Sequence, residues 1–148
     1  GLKALQGLIW QEGFAAGELR GQVYDDVPRA FERWTARGIV LYIYSSGSVL
    51  AQRLLFESTP AGDLTRFLSG YFDTEVGPKK EASSYGTIAA RTAIPALEML
   101  FLSDVTAELD AAKHSGMQTI LCVRDDVTPV TAEMTHPIVH SFDEIAFS

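Results

Sequence analysis

Residues 40–48 read Val-Leu-Tyr-Ile-Tyr-Ser-Ser-Gly-Ser, an apolar run that ends in two hydroxyls, a glycine and a helix start. Val40 to Tyr44 have the side chains of a buried strand. Ser45 and Ser46 stand where that strand ends, Gly47 lets a ligand approach the backbone, and Ser48 is placed to cap a helix carrying Leu50, Leu54 and Leu55. Backbone amides at such a turn, added to the positive end of the helix dipole, favour a phosphate or another oxyanion. An ordinary serine-rich strand-to-helix turn has the same composition, so the segment needs partners.

A second run, Met99-Leu100-Phe101-Leu102-Ser103-Asp104, also ends in a hydroxyl and a carboxylate. In open α/β sheets ligands bind outside the carboxyl ends of the strands, so Ser45, Ser46 and Asp104 are expected to face one crevice. Asp104 and Glu108 are one helical turn apart, and two carboxylates on one side of a helix start suit Mg²⁺. The competing role for Asp104 is to cap the helix that follows. Between the two runs, Phe72-Asp73-Thr74-Glu75-Val76-Gly77-Pro78-Lys79 places a lysine after a Gly-Pro turn and before a helix starting near Glu81. Such an ammonium can meet a phosphate as a point charge, although most lysines are simply solvated.

Together these segments resemble the haloacid dehalogenase superfamily of phosphohydrolases, and more closely the enolase-phosphatase family of methionine salvage. The likeness rests on Leu-Lys-Ala-Leu-Gln-Gly from Leu2, Tyr-Ile-Tyr-Ser-Ser-Gly-Ser from Tyr42, Ala51-Gln52 with Leu54-Leu55-Phe56, Gly70-Tyr71-Phe72-Asp73-Thr74, Gly77 with Lys79, Ser84-Tyr85, and Leu100 to Thr106. It runs from residue 2 to about 124. The resemblance implies that Ser45, Ser46 and Gly47 bind substrate, that Lys79 rather than Lys80 holds the phosphoryl group, and that Asp104 binds Mg²⁺; Glu108 joins it as a metal ligand on its spacing alone. Lys79 and Asp104 would then be the catalytic residues. It further implies a cytoplasmic, Mg²⁺-dependent enzyme, monomeric when intact. This enzyme would convert 2,3-diketo-5-methylthiopentyl 1-phosphate to the acireductone by enolisation and phosphate-ester hydrolysis. A phosphatase of another small phosphate ester and a non-catalytic phosphate-binding module are the alternatives.

One departure matters. The family nucleophile lies in an Asp-x-Glu-Gly-Thr motif on the first strand, and these 148 residues hold no such motif. Asp73-Thr74-Glu75-Val76-Gly77 has the wrong glycine spacing and lacks a long apolar strand before it. The chain is therefore expected to correspond to the carboxyl-terminal part of such an enzyme, with residues 1–22 a remnant of the helical cap and 23–148 a core lacking its first strand. That strand would lie between the strands ending at Ser45 and Ser103, and its removal would leave unpaired edges.

A content of 47% hydrophobic residues in 148 allows one core of ordinary size. The formal charge of −7 argues against a nucleic-acid or anionic-membrane partner, which would require clustered Lys and Arg. Cys122 is the single cysteine and lies in an apolar run, so it reads as a core residue. No apolar stretch approaches the roughly 18 residues of a membrane span. His114, His136 and His140 share no metal-ligand spacing.

The expected elements are a helix over 2–19 and a helix from Asp25 or Asp26 to Arg37, stopped by Gly38. Strand 39–44, helix 48–57, a short helix near 63–68 and a strand at 72–76 come next. The series ends with helix 81–92, strand 98–102, helix 105–115, strand 118–123, a loop over 124–137 and a short element near Phe142. Such alternation implies right-handed crossovers, hence a parallel α/β sheet with helices on both faces. Trp10 and Trp34 read as packing residues on helices, Trp10 having a possible cap role, and Glu12 and Glu18 as a solvated face.

Overall fold

The computed structural model describes residues 25–123 and 136–145, and residues 7–10 by their backbone. The elements are β1 (Gly7–Trp10), α1 (Asp26–Ala36), β2 (Leu41–Tyr44), α2 (Val49–Glu57), β3 (Leu68–Phe72), α3 (Ala82–Thr92), β4 (Leu100–Ser103), α4 (Thr106–His114), β5 (Gln118–Cys122) and β6 (Ile138–Val139). They build one six-stranded sheet in the order β3-β2-β1-β4-β5-β6, with every pairing parallel.

Alternation along the strands sends successive side chains to opposite faces, and two apolar layers result. Leu41 and Ile43 of β2, Leu100 and Leu102 of β4 and Cys122 of β5 pack with Val27, Phe31 and Trp34 of α1 and with Leu55 and Phe56 of α2. Tyr44, Phe101 and Leu121, the intervening residues, pack with Tyr85 and Ile88 of α3 and with Leu109 and Ala112 of α4. All four residues of β4 are buried, as expected for a strand covered on both faces. Helices therefore flank the sheet on both sides, as the alternation implied. Among the described residues no helix is long and apolar enough to cross a membrane.

Two expectations are corrected. Gly7–Trp10 is not helical but forms the central strand, paired with β4 over four residues and with β2 over two. The slot between β2 and β4 satisfies backbone groups on both sides, which outweighs the weak helix preference of a glycine-interrupted segment. The core thus has a strand at the position expected to be empty. The remainder of the expected 2–19 helix, Glu12, Glu18, the Trp10 side chain and loop residues 124–135 lie outside the described residues.

The strand expected at 72–76 lies instead at Leu68–Phe72. The Asp73 carboxylate accepts the Glu75 amide at 2.9 Å and winds Thr74–Val76 into a single 3-10 turn. Gly70 on this strand has no side chain because a Cβ there would stand 2.9 Å from the Tyr42 ring.

Candidate active site

β2 and β4 run parallel to β1 on either side of it, so Ser45 and Asp104, which directly follow them, lie at the same end of the sheet. This is the carboxyl edge, and the strand order turns back at β1 and β4. The two strands are not bonded to each other.

The turn after β2 is tied down locally. Ser48 caps α2, its hydroxyl accepting the Ala51 amide at 3.1 Å, as the sequence suggested. Ser45 is fully buried, its amide donates to the Phe72 carbonyl at 3.1 Å, and its Oγ accepts the Gly47 amide at 3.0 Å. Ser46 is exposed. Of the two hydroxyls, Ser45 thus shapes the turn and Ser46 faces outward.

Lys79 is drawn in by a loop with special backbone needs. Gly77 has φ +130°, and a Cβ there would meet Ser84 Oγ at 2.3 Å. Tyr44 donates to the Gly77 carbonyl, Ser84 to the Pro78 carbonyl and Tyr85 to the Lys79 carbonyl, each at 2.6 Å. Three consecutive carbonyls are therefore fixed, and the Lys79 side chain turns inward, 8% exposed. Its ammonium lies 3.0 Å from Glu108 Oε1 and 6.0 Å from the centre of the Tyr44 ring. Burial, above all, pushes the Tyr44 hydroxyl up to about 12, and burial raises Tyr85 as well. Both therefore serve as neutral donors. Lys80 is exposed.

Ser103 Oγ lies 3.2 Å from Glu108 Oε1 and accepts the Val105 amide at 3.0 Å. The α4 N-cap is Val105, without a side-chain cap, so the capping role weighed for Asp104 is not what starts this helix. Asp104 is exposed at the sheet edge, whereas Glu108 is buried against Lys79 and Ser103. Among the described residues no group of three His, Cys, Asp or Glu side chains is placed to hold a metal.

Sequence reasoning missed two features. Gln52 lies beneath the turn, and His136 bridges Thr119 and Asp110 away from it. Gln52 carried a signal, being a polar residue on the core-facing side of α2. His136 carried none, since its partners are distant in sequence.

No family model matches the chain. It is 51% identical over 146 residues to the enolase-phosphatase E1 of Synechococcus elongatus, across 98% of this chain and 60% of that protein. The crystal structure of the UTR4 protein of Saccharomyces cerevisiae superposes with a TM-score of 0.76 at 35% identity, over 90% of this chain and 62% of that one. A hydrolase of the haloacid dehalogenase type from Bacillus subtilis, YfnB, crystallised with magnesium, shares the fold at a TM-score of 0.69 and 17% identity, over 82% of this chain and 53% of that one.

The fold is that of haloacid-dehalogenase-like structures. Along nearly its whole length the chain is similar to curated enolase-phosphatases E1, and it spans about three fifths of the length of those relatives.

Proposed function

We propose that this chain is the phosphoryl-binding part of a Mg²⁺-dependent enolase-phosphatase that converts 2,3-diketo-5-methylthiopentyl 1-phosphate to the acireductone. The observation that carries this reading is 51% identity along 98% of the chain. The convergence of Ser45–Gly47, Lys79 and Asp104 on one sheet edge supports it.

In this reading the Ser46 hydroxyl and amide donate to the phosphoryl oxygens, while the Gly47 amide, held by Ser45 Oγ, fixes the turn. Lys79 adds a cation. Its ammonium has three donors, and Glu108 engages one of them, so the others can reach a phosphoryl oxygen as charge develops. Glu108, held by Ser103, fixes the direction of that ammonium. Asp104 offers the hard oxygen that Mg²⁺ takes, an ion that keeps most of its waters and needs only one or two protein carboxylates; Glu108, committed to Lys79, is the weaker candidate. When bound, the ion would neutralise phosphoryl charge.

The attacking carboxylate belongs to the Asp-x-Glu-Gly-Thr motif, which these 148 residues do not contain. We assign residues 1–22 to the cap and 23–148 to the core of the intact protein. There the motif-bearing strand would take the slot that Gly7–Trp10 fills here. A small phosphate ester as sole partner, a monomeric state and a cytoplasmic setting belong to the same proposal.

The test is an assay of the longer natural protein with the diketone phosphate and with a panel of other phosphate monoesters, with and without Mg²⁺. Preferred Mg²⁺-dependent phosphate release from the diketone, with acireductone formed, is expected. Substituting Lys79→Ala should lower turnover by about 10²–10³. Equal kcat/KM on unrelated monoesters would replace the reading with a general phosphatase.

A further inference from the structure

Gln52 is 1% exposed on α2, directly below the turn that follows β2. Its side-chain Nε2 donates to the Gly47 carbonyl and to the Phe72 carbonyl, each at 2.9 Å. Two carbonyl acceptors settle the orientation of the amide, because the flipped form would set oxygen against oxygen twice. That orientation has a consequence: Gln52 Oε1 is buried with no hydrogen-bond partner among the described residues. An orphaned buried acceptor costs about 1–3 kcal/mol. A methionine of similar length would fill the space without that orphan but would also remove both carbonyl bonds, so the two effects oppose each other and what the glutamine holds is the turn.

What the amide accomplishes is specific to the turn. Phe72 O, at the end of β3, accepts both from the Ser45 amide at 3.1 Å and from Gln52. One carbonyl thereby anchors the start of the turn directly and its glycine through Gln52. The Gly47 amide is in turn bonded to Ser45 Oγ at 3.0 Å. The Ser45–Gly47 backbone is closed into a small network whose central link is a side chain that does not reach the ligand side.

The geometry points to Gln52 as the positioning residue of the anion-binding turn, fixing its backbone for a phosphoryl group. The inference rests on the phosphate-ester reading above. Removing the link should loosen the turn and weaken phosphate binding while the fold stands.

The test is titration of inorganic phosphate into the chain, by calorimetry or phosphorus NMR, for wild type, Gln52→Met and Gln52→Glu. For Gln52→Met a melting temperature within a few degrees of wild type is expected, the lost orphan offsetting the lost carbonyl bonds, with phosphate affinity about tenfold weaker. In the longer natural protein the change should appear as a raised KM with kcat nearly retained, the mark of binding shared by ground and transition states. Gln52→Glu keeps the shape but sets an acceptor against both carbonyls. It serves if the methionine variant does not fold, and its affinity relative to wild type should recover as pH falls and the carboxyl becomes a donor. Wild-type phosphate affinity in either folded variant overturns the inference alone. No phosphate binding by wild type overturns the phosphate-ester reading, and the inference with it.

Discussion

Lys79 Nζ lies 3.0 Å from Glu108 Oε1, with both side chains nearly excluded from solvent. Breaking a buried pair from one side leaves a charge without its counter-ion and typically costs about 3–5 kcal/mol, whereas replacing both partners by apolar groups is often neutral. Lys79→Met should therefore destabilise strongly, and Lys79→Met with Glu108→Met should recover most of the loss. Chemical denaturation of both single variants, Lys79→Met and Glu108→Met, and of the double decides this. A double variant as unstable as the sum of the singles would mean that the pair is not energetically coupled.

Gly77 is where the Lys79 loop meets α3. Its φ of +130° is open to glycine and strained for other residues, and the space beyond it is occupied by Ser84. Gly77→Ala should cost at least about 1–3 kcal/mol from backbone strain. The clash adds to it and loosens the Tyr44, Ser84 and Tyr85 bonds to the loop. Adding Ser84→Ala should relieve only part, because Ser84 Cβ would still lie 3.3 Å away. A Gly77→Ala chain of wild-type melting temperature would rule out this account of the loop.

Tyr44 titrates near 12 in the folded chain against about 10 when unfolded, because burial disfavours its phenolate. The folded state thus holds this proton more tightly. The associated stability is fully present below about pH 10 and is lost as pH rises through about 12. Tyr44→Phe should lower stability by about 1 kcal/mol at neutral pH through loss of the bond to Gly77. It should also fall less steeply between about pH 10 and 12, the slope from Tyr85 remaining. Denaturation midpoints at pH 9 and 11.5 measure both effects, and an unchanged alkaline slope would show that Tyr44 is not the group responsible.

The parts of the fold visible in sequence are those carried by local signals. The apolar run to Tyr44 followed by Ser-Ser-Gly-Ser gave both β2 and the cap of α2, and the Gly-Pro turn marked the loop that presents Lys79. Positions decided by long-range pairing were less legible. Gly7–Trp10 becomes a strand because β2 and β4 leave backbone groups to satisfy, a fact absent from its own residues. β3 shifts because Asp73 caps a turn where a continuing strand was expected. Asp25 or Asp26 is legible as a helix start, and α1 begins at Asp26 with Asp25 at its N-cap. The Asp26 carboxylate also accepts the Phe142 amide at 2.6 Å, tying α1 to the chain's last described turn, and no local pattern announces such a bond.

Turnover is the plainest consequence of the composition of the site. In the proposed reading the described edge offers anion donors, a cation and a carboxylate for Mg²⁺, but the sequence lacks the Asp-x-Glu-Gly-Thr motif to which that reading assigns the attacking aspartate. The 148-residue chain by itself should bind phosphate and not hydrolyse phosphate esters. Mg²⁺-dependent turnover by a homogeneous sample would place the nucleophile among these residues and remove the need for an upstream strand.

His136 closes the far edge of the sheet. It is 4% exposed, with Nδ1 2.6 Å from Thr119 Oγ1 of β5 and Nε2 2.6 Å from Asp110 Oδ1 of α4. The next residues enter β6, where the Leu121 amide donates to the Pro137 carbonyl and the Val123 amide to the Val139 carbonyl, each at 2.8 Å. Thr119 is buried and the Asp110 side chain is 67% exposed, so the two contacts differ in weight. Losing the ring strands a buried hydroxyl and a packed volume, a loss of about 2–3 kcal/mol, whereas a contact to an exposed carboxylate contributes at most about 1 kcal/mol. His136→Ala should therefore destabilise more than Asp110→Ala. Amide exchange at Leu121 and Val123 should rise in His136→Ala while that at Leu102 stays slow, since β6 is the edge strand and β4 lies further in. Equal costs for the two variants, or unchanged exchange at Leu121 and Val123, would show that β6 holds its place without the histidine.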